Sequence, residues 1–299
     1  MRIHDCLSAA FFMLGCSLTG AAAAKPPVTA EIVAAAESGD AAAQFQLARA
    51  YLRGEGVPKD VNKAFSLMKA AADQGHADAI GGLGYFYSAG IAVPKDPDLA
   101  AEWFRKGAEK GSAKAQLNLG KWLLDGKDQA PAACEKNRQL GLQWIQKAAG
   151  QNLPEATLSY GMILYYGDHG VAKDPEAAAR YLKIAGDGGF ADAQNILGVI
   201  CEKGQGLPKD ESAAREWYRK AALQGQARAQ FNLGRTLSPF HDNRNTRIDA
   251  MAWLLLAVEQ GDAVAVKTLD GWRPRLKRDE LVAAAVRAKE LSQQVSSPN

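Results

Sequence analysis

The sequence predicts an all-α protein, a stack of about six helical hairpins closed by capping helices at its N- and C-terminal ends. Three observations predict it. Residues 191–226 hold an amphipathic helix, a Gly/Pro turn, a second amphipathic helix and a Gly stop, a hairpin of 36 residues. Its register alanine, Ala193, recurs as Ala43, Ala79, Ala115, Ala156, Ala229 and Ala265, so that successive spacings are 36, 36, 41, 37, 36 and 36 residues. Four positions before each alanine stands a helix-stopping residue: Gly39, Gly75, Gly111, Asn152, Gly189, Gly225 and Gly261. A reversing helix commonly ends in the left-handed region, where glycine has no Cβ clash and asparagine is the next most tolerant. One hairpin cannot bury its own apolar faces, so neighbours must share them.

Residues 1–24 stand outside this period. Arg2 supplies positive charge, Cys6 to Leu18 is mostly apolar, and Ala21 to Ala24 ends in a small-residue pattern before Lys25-Pro26-Pro27. That layout predicts a secretory signal peptide cut near Ala24, with an apolar run too short to span a bilayer. The location expected is periplasmic or secreted. Lipidation at Cys16 is the alternative. Residues 25–39 are expected to form an N-terminal capping helix, 40–261 the six repeats, 262–295 C-terminal capping helices, and 296–299 a disordered tail.

Within the repeats, each second helix is expected to open on a side chain that accepts a hydrogen bond from free N–H groups: Asp60, Asp96, Asn137, Asp174, Asp210 and Thr246. Repeat three carries an insertion between Gly126 and Asn137, placed as a loop at one edge of the stack. Small residues align down the second helices at Ala64, Ala100, Gly141, Ala178, Ala214 and Ala250. They align again one heptad later at Ala71, Gly107, Ala148, Ala185, Ala221 and Ala257. Between them Leu67, Trp103, Trp144, Tyr181, Trp217 and Trp253 are expected to supply the large apolar body. Beyond Gly261, a last helix opening at Asp279 is expected to bury Leu281, Val282, Ala285, Val286 and Leu291.

The phrases Ala-x-Ala-x-x-x-Leu-Gly, Gly-x-Gly-Val-Pro-Lys-Asp and Ala-x-x-Trp-x-x-x-Ala-Ala-x-x-Gly resemble the Sel1-like repeat, a relative of the tetratricopeptide repeat. The resemblance covers roughly residues 28 to 295. It implies a right-handed α-solenoid of six repeats plus caps, in a family whose bacterial members serve as binding scaffolds, often in the envelope or in secretion. It implies no particular ligand.

A net charge of +3 on 299 residues, with Lys and Arg interspersed among Asp and Glu, marks no nucleic-acid stripe. Ser66-Leu-Met-Lys69 matches Ser-x-x-Lys, but both positions align with charged or polar residues in repeats two to five and no Lys-Thr-Gly partner exists. Gly54/Gly56 and Gly204/Gly206 lack the strand and the Lys-Ser/Thr of a phosphate loop. His76, His169 and His241 are not at metal spacing. Of the mature cysteines, Cys201 falls in a core column and no disulfide with Cys134 is expected. The chain is therefore expected to be no enzyme and to need no cofactor or metal.

What remains is a surface. The column Ala50, Phe86, Trp122, Ile163, Ile200 and Thr236, with Tyr165 and Tyr166 beside it and Arg49, Arg53 and Lys121 flanking, is expected to offer an aromatic strip to a protein partner. The alternative is that this column packs between hairpins. The function expected is a monomeric exported scaffold binding an envelope or secreted protein. An immunity or inhibitor role against a toxin or envelope enzyme is the first alternative, and a cell-wall or β-lactam hydrolase the second.

Overall fold

A computed structural model describes residues 28–125, 131–238, 240 and 243–295, with the side chains of 131–134 left aside. The expected signal peptide, the tail 296–299 and His241 lie outside the described residues. The described chain is α-helical and divides after Tyr160 into two compact units.

The first unit starts with α1 (Ala30–Glu37), whose first turn is capped by Thr29. Three hairpins and the start of another follow: α2 (Ala41–Arg53) and α3 (Val61–Asp73), α4 (Ala77–Ala89) and α5 (Pro97–Glu109), α6 (Ala113–Asp125) and α7 (Pro131–Gly150), then the first half of α8 (Pro154–Tyr166). From α1 to α7 consecutive helices pack together, and α4 also touches α6, so the first helices of repeats two and three meet directly. The second unit holds the rest of α8, then α9 (Pro175–Asp187), α10 (Ala191–Lys203), α11 (Glu211–Leu223), α12 (Ala227–Leu237), α13 (Arg244–Glu259), α14 (Ala263–Trp272), a 3-10 turn (Arg273–Arg275) and α15 (Arg278–Gln294). From α9 to α14 consecutive helices pack together, and α15 lies against α13.

Local chemistry sets these boundaries. Gly39, Gly75, Gly111, Gly189, Gly225 and Gly261 have positive φ, and so does Asn152 at 56°, the left-handed geometry that ends each second helix. Asp60, Asp96, Asp174 and Asp210 cap second helices through side-chain oxygens. The N–H of each also closes the preceding turn, donating to the carbonyl of Tyr51 (3.0 Å), Tyr87 (2.9 Å), Leu164 (3.0 Å) and Cys201 (2.9 Å) respectively. These turns are thus hydrogen-bonded structure rather than ligand loops.

Several expectations are corrected. Asn137 lies inside α7, which extends back to Pro131, so part of the insertion in repeat three lengthens a helix instead of forming only a loop. Thr246 sits in the first turn of α13 and donates its own N–H to the side-chain oxygen of Asn243, the actual cap. The two small-residue columns are buried as expected. Trp103, Trp144 and Trp217, however, are half-buried, with Lys106, Lys147 and Lys220 stacked over their rings at 4.7, 4.4 and 4.2 Å. Only Trp253 of that column is buried, in a cluster with Ala288 and Leu291 of α15. The fully enclosed body sits one residue later, at Met68, Phe104, Ile145, Leu182, Tyr218 and Leu254. A half-exposed indole with a cation on its face keeps both groups partly hydrated, which a closed core site forbids.

The enclosed column explains the Leu-Gly phrase of the first helices. A Cβ on Gly198 would lie 2.4 Å from the Tyr218 ring, and one on Gly84 2.5 Å from Phe104. Absence of a side chain is what lets the two helices of a hairpin approach closely enough to enclose the large residue between them.

A polar clamp recurs as well. Gln44, Gln116, Gln194 and Gln230 are buried, and their Nε2 groups donate to the carbonyls of Ala36, Ala108, Gly186 and Ala222, near the end of the preceding repeat's second helix. Their Oε1 atoms accept from Gln74, Gln151, Gln224 and Gln260 at 2.8, 2.9, 2.8 and 2.7 Å. Repeats two and four carry Ile80 with Lys110 and Thr157 with Gly188 at these positions, so both partners are present together or absent together.

Candidate functional site

The strip expected along the first helices is not assembled as a column. Phe86 is 0% exposed, enclosed with Met68, Ile80 and Leu83, and Ile163 and Ile200 are buried too. Phe86 is therefore a core residue and cannot meet a partner. Trp122 is half-buried against the cluster of Phe104, Leu119 and Leu123. Helical spacing explains the correction. Ala43, Leu47 and Ala50 are related as i, i+4 and i+7, so the chosen column continues the buried stripe.

The outward column lies one residue earlier, with Tyr85 and Arg235 exposed and its other members half-buried. In the first unit it holds Arg49, Tyr85 and Lys121, with Tyr85 42% exposed. Arg49 stands over the Phe45 ring at 5.6 Å, and Arg53 pairs with Glu55 at 3.5 Å. Burial lowers the pKa of the Lys121 ammonium, an effect that the charge of Glu155 opposes. A cleft of about 430 Å³ opens elsewhere in this unit, at the N-terminal ends of α4 and α6, lined by His76, Asp78, Lys110, Ser112, Lys114 and Gln151 among others.

In the second unit the same column holds Met162, Val199 and Arg235. Beside it the C-terminal end of α8 carries Tyr165, half-buried, and Tyr166, 50% exposed, with ring centroids 5.0 Å apart at an interplanar angle of 79°. Burial raises both phenols above their ordinary pKa; for Tyr166, Tyr165 and Asp192 add to the rise and Arg228 opposes it. Both rings are neutral donors at physiological pH, with apolar flanks and polar tips.

The same unit holds a polar junction of α10, α11 and α12, within electrostatic reach of Tyr165. The Tyr218 hydroxyl donates to Glu202 Oε2 at 2.8 Å, and Arg235 donates to the same oxygen at 2.7 Å. The Arg235 hydrogen bond holds the Glu202 carboxyl below the usual range, against the opposing pull of burial, and Tyr218 assists. Burial first, and Glu202 second, push the Tyr218 phenol well above its ordinary value. Glu202, Glu211, Arg215 and Arg235 line a cleft of about 190 Å³ there. Periodicity alone gave no sign of this junction, because its three members come from three helices.

The sequence fragments that mimic active sites have structural partners. Ser66 is exposed and donates to the Asn62 carbonyl, and Lys69 pairs with Asp73 at 3.1 Å. His76 caps α4, its Nδ1 accepting from the Ala79 N–H. Cys201 is buried and unpaired, its thiol pushed up by burial. Among the described residues no three His, Cys, Asp or Glu side chains are grouped to hold a metal, and no helix is long and apolar enough to cross a membrane.

Known proteins resemble this arrangement. A Sel1 repeat protein from Oxalobacter formigenes is 30% identical, with a TM-score of 0.62 over 75% of this chain and 89% of that one. Chitin synthase regulatory factor 3 of Schizosaccharomyces pombe is 33% identical over 101 residues, and chitin synthase regulator SKT5 of Malassezia restricta 32% over 108 residues. Those alignments span 33% and 36% of this chain but 11% and 7% of the two fungal proteins. The family model of the Sel1 repeat matches residues 41–76, 77–112, 113–153, 154–190, 191–226 and 227–262, the same six hairpins that the stops at Gly39, Gly75, Gly111, Asn152, Gly189, Gly225 and Gly261 delimit. With that match across most of its length and the Oxalobacter likeness in fold, the chain belongs to the Sel1 repeat family.

Proposed function

We propose that the protein is a non-enzymatic scaffold, exported to the cell envelope, that holds a protein partner on the outward face of its first helices. A Sel1 solenoid is suited to protein–protein interaction, since its regular layers present long runs of side chains without spending them on one pocket. The observation that carries the reading is the Tyr165–Tyr166 pair, an aromatic step with Tyr166 exposed, in the same unit as the Glu202–Arg235 ion pair. Aromatic and arginine side chains dominate the energetics of protein interfaces because each combines a large apolar area with a polar tip. The export part rests on residues 1–24.

Photocrosslinking tests the binding face. A crosslinkable phenylalanine analogue at Tyr166 should trap one defined protein in intact cells, whereas the same group at Glu216, exposed on a second helix, should not. Equal labelling at both places rejects the face. Fractionation with N-terminal sequencing tests the address: a mature chain beginning near Lys25 in the envelope or medium supports export, and a lipid-modified chain beginning at Cys16 replaces the soluble form with an anchored one.

A further inference from the structure

Of the apolar side that the sequence marks on the last helix, only Leu291 is buried. On α15 the residues turned to α13 are Glu280, Ala284, Ala288 and Leu291, while Val282 and Val286 are 61% and 58% exposed. Three ion pairs fix that orientation: Arg244 with Asp279 at 3.3 Å, Arg247 with Glu280 at 3.0 Å, and Asp249 with Arg287 at 2.8 Å. Glu280 is buried, so turning the helix to hide the valines would leave its partner Arg247 without a counter-charge.

The outer side of α15 has a definite chemistry. Arg278, Val282, Val286 and Lys289 are spaced by four, four and three residues, which places two cations at the ends of one apolar ridge. Arg273, Arg275 and Lys277 crowd the turn just before it and are exposed. Among the described residues Arg273, Lys277, Arg278 and Lys289 take part in no ion pair. The acids on the helix are all paired, Asp279 and Glu280 to α13 and Glu290 to Arg287 of the same helix at 2.9 Å, with Asp279 and Glu290 still exposed. What faces outward is a cationic, apolar ridge.

We propose that α15 and the turn before it dock on an anionic lipid surface, with the helix lying along the interface and not crossing it. The charge of the ridge calls for an anionic partner. Its convex form favours a lipid interface over an acidic protein, because headgroups part around a ridge of any contour while a protein must supply a matching groove. In such a pose Val282 and Val286 enter the headgroup boundary and the long Arg278 and Lys289 side chains reach back to phosphates at either end. The arrangement is independent of the binding face on the first helices.

Cosedimentation of the purified full chain with vesicles tests this. Vesicles of equal parts phosphatidylglycerol and phosphatidylcholine should retain the protein, and the double variant Arg273→Gln/Arg278→Gln should lower that affinity roughly thirtyfold. Val282→Ser/Val286→Ser should lower it about tenfold at the parent's melting temperature, since both side chains are exposed. All three chains carry the same first 27 residues, so the differences report on α15. Parent and variants binding alike, or no binding to anionic vesicles, overturns the proposal. Retention on immobilised poly-glutamate with none on vesicles overturns it in favour of an acidic protein.

Discussion

The Gln224 side-chain amide donates to Gln194 Oε1 at 2.8 Å while Gln194 Nε2 donates to the Gly186 carbonyl at 2.9 Å. One buried glutamine thus joins the second helix of its own repeat to the end of the second helix before it. Gln194→Leu removes both of these hydrogen bonds, while the carbonyl keeps the Gly189 N–H at 3.1 Å and the Gln224 amide keeps the Lys220 carbonyl at 3.5 Å; the expected loss for the two bonds together is about 1–3 kcal/mol of stability by urea denaturation. Adding Gln224→Lys, which recreates the apolar-plus-lysine combination of Ile80 and Lys110, should return part of it. A double variant that loses the full sum of the single losses would show that the two residues are not coupled.

Close approach in repeat five makes a second prediction. Gly198→Ala drives a methyl into the Tyr218 ring and should destabilise by about 1–3 kcal/mol, because neither helix of the hairpin can retreat without opening its neighbours. Gly271 lies in α14 with nothing within 4 Å of a built Cβ. There the same substitution should stabilise by about 0.5–1 kcal/mol through helix propensity alone. Opposite signs for the two melting-temperature shifts are the expected result.

Core and surface aromatics should separate cleanly. Phe86→Ala removes a fully enclosed ring and is expected to cost about 3–5 kcal/mol. Tyr166→Ala should leave the denaturation midpoint within about 0.5 kcal/mol of the parent, being half exposed at a helix end, and should weaken partner capture. If Tyr166→Ala unfolds the protein while Phe86→Ala does not, the assignment of Phe86 to the core and Tyr166 to the surface is wrong.

Acid should expose the Glu202 junction. The folded-state pKa of Glu202 is lowered, chiefly by the hydrogen bond from Arg235, so its stabilisation is complete above the unfolded value of about 4.3 and is lost as pH falls below that through the folded value. The parent's urea midpoint should therefore fall between neutral pH and pH values below about 4 more steeply than that of Glu202→Gln. Identical acid profiles for the two proteins would remove Glu202 from the account.

The hairpin fold was legible because its determinants are local and repeated. A glycine or asparagine that must reach positive φ, an aspartate that must cap a first turn and an alanine every turn or two each act within a few residues, and seven copies confirm one another. Asn137 and Thr246 failed as caps where the repeat itself is irregular, since a helix can start earlier when a better-placed start such as Pro131 or Asn243 is available. The chosen column was one residue away from the more exposed one, although the i, i+4, i+7 relation of Ala43, Leu47 and Ala50 already placed it in the core.

By itself the sequence determined how many hairpins there are, where each helix ends and which small residues let helices meet, because backbone sterics and hydrogen-bond capping operate over a single turn. Only the tertiary structure decided that Phe86 is enclosed while Tyr166 meets solvent, that Tyr218, Glu202 and Arg235 converge, and that α15 turns its valines outward. Those outcomes depend on which neighbour covers a given side and on where a buried charge such as Glu280 finds its partner, and neither is written in the spacing of residues along one helix.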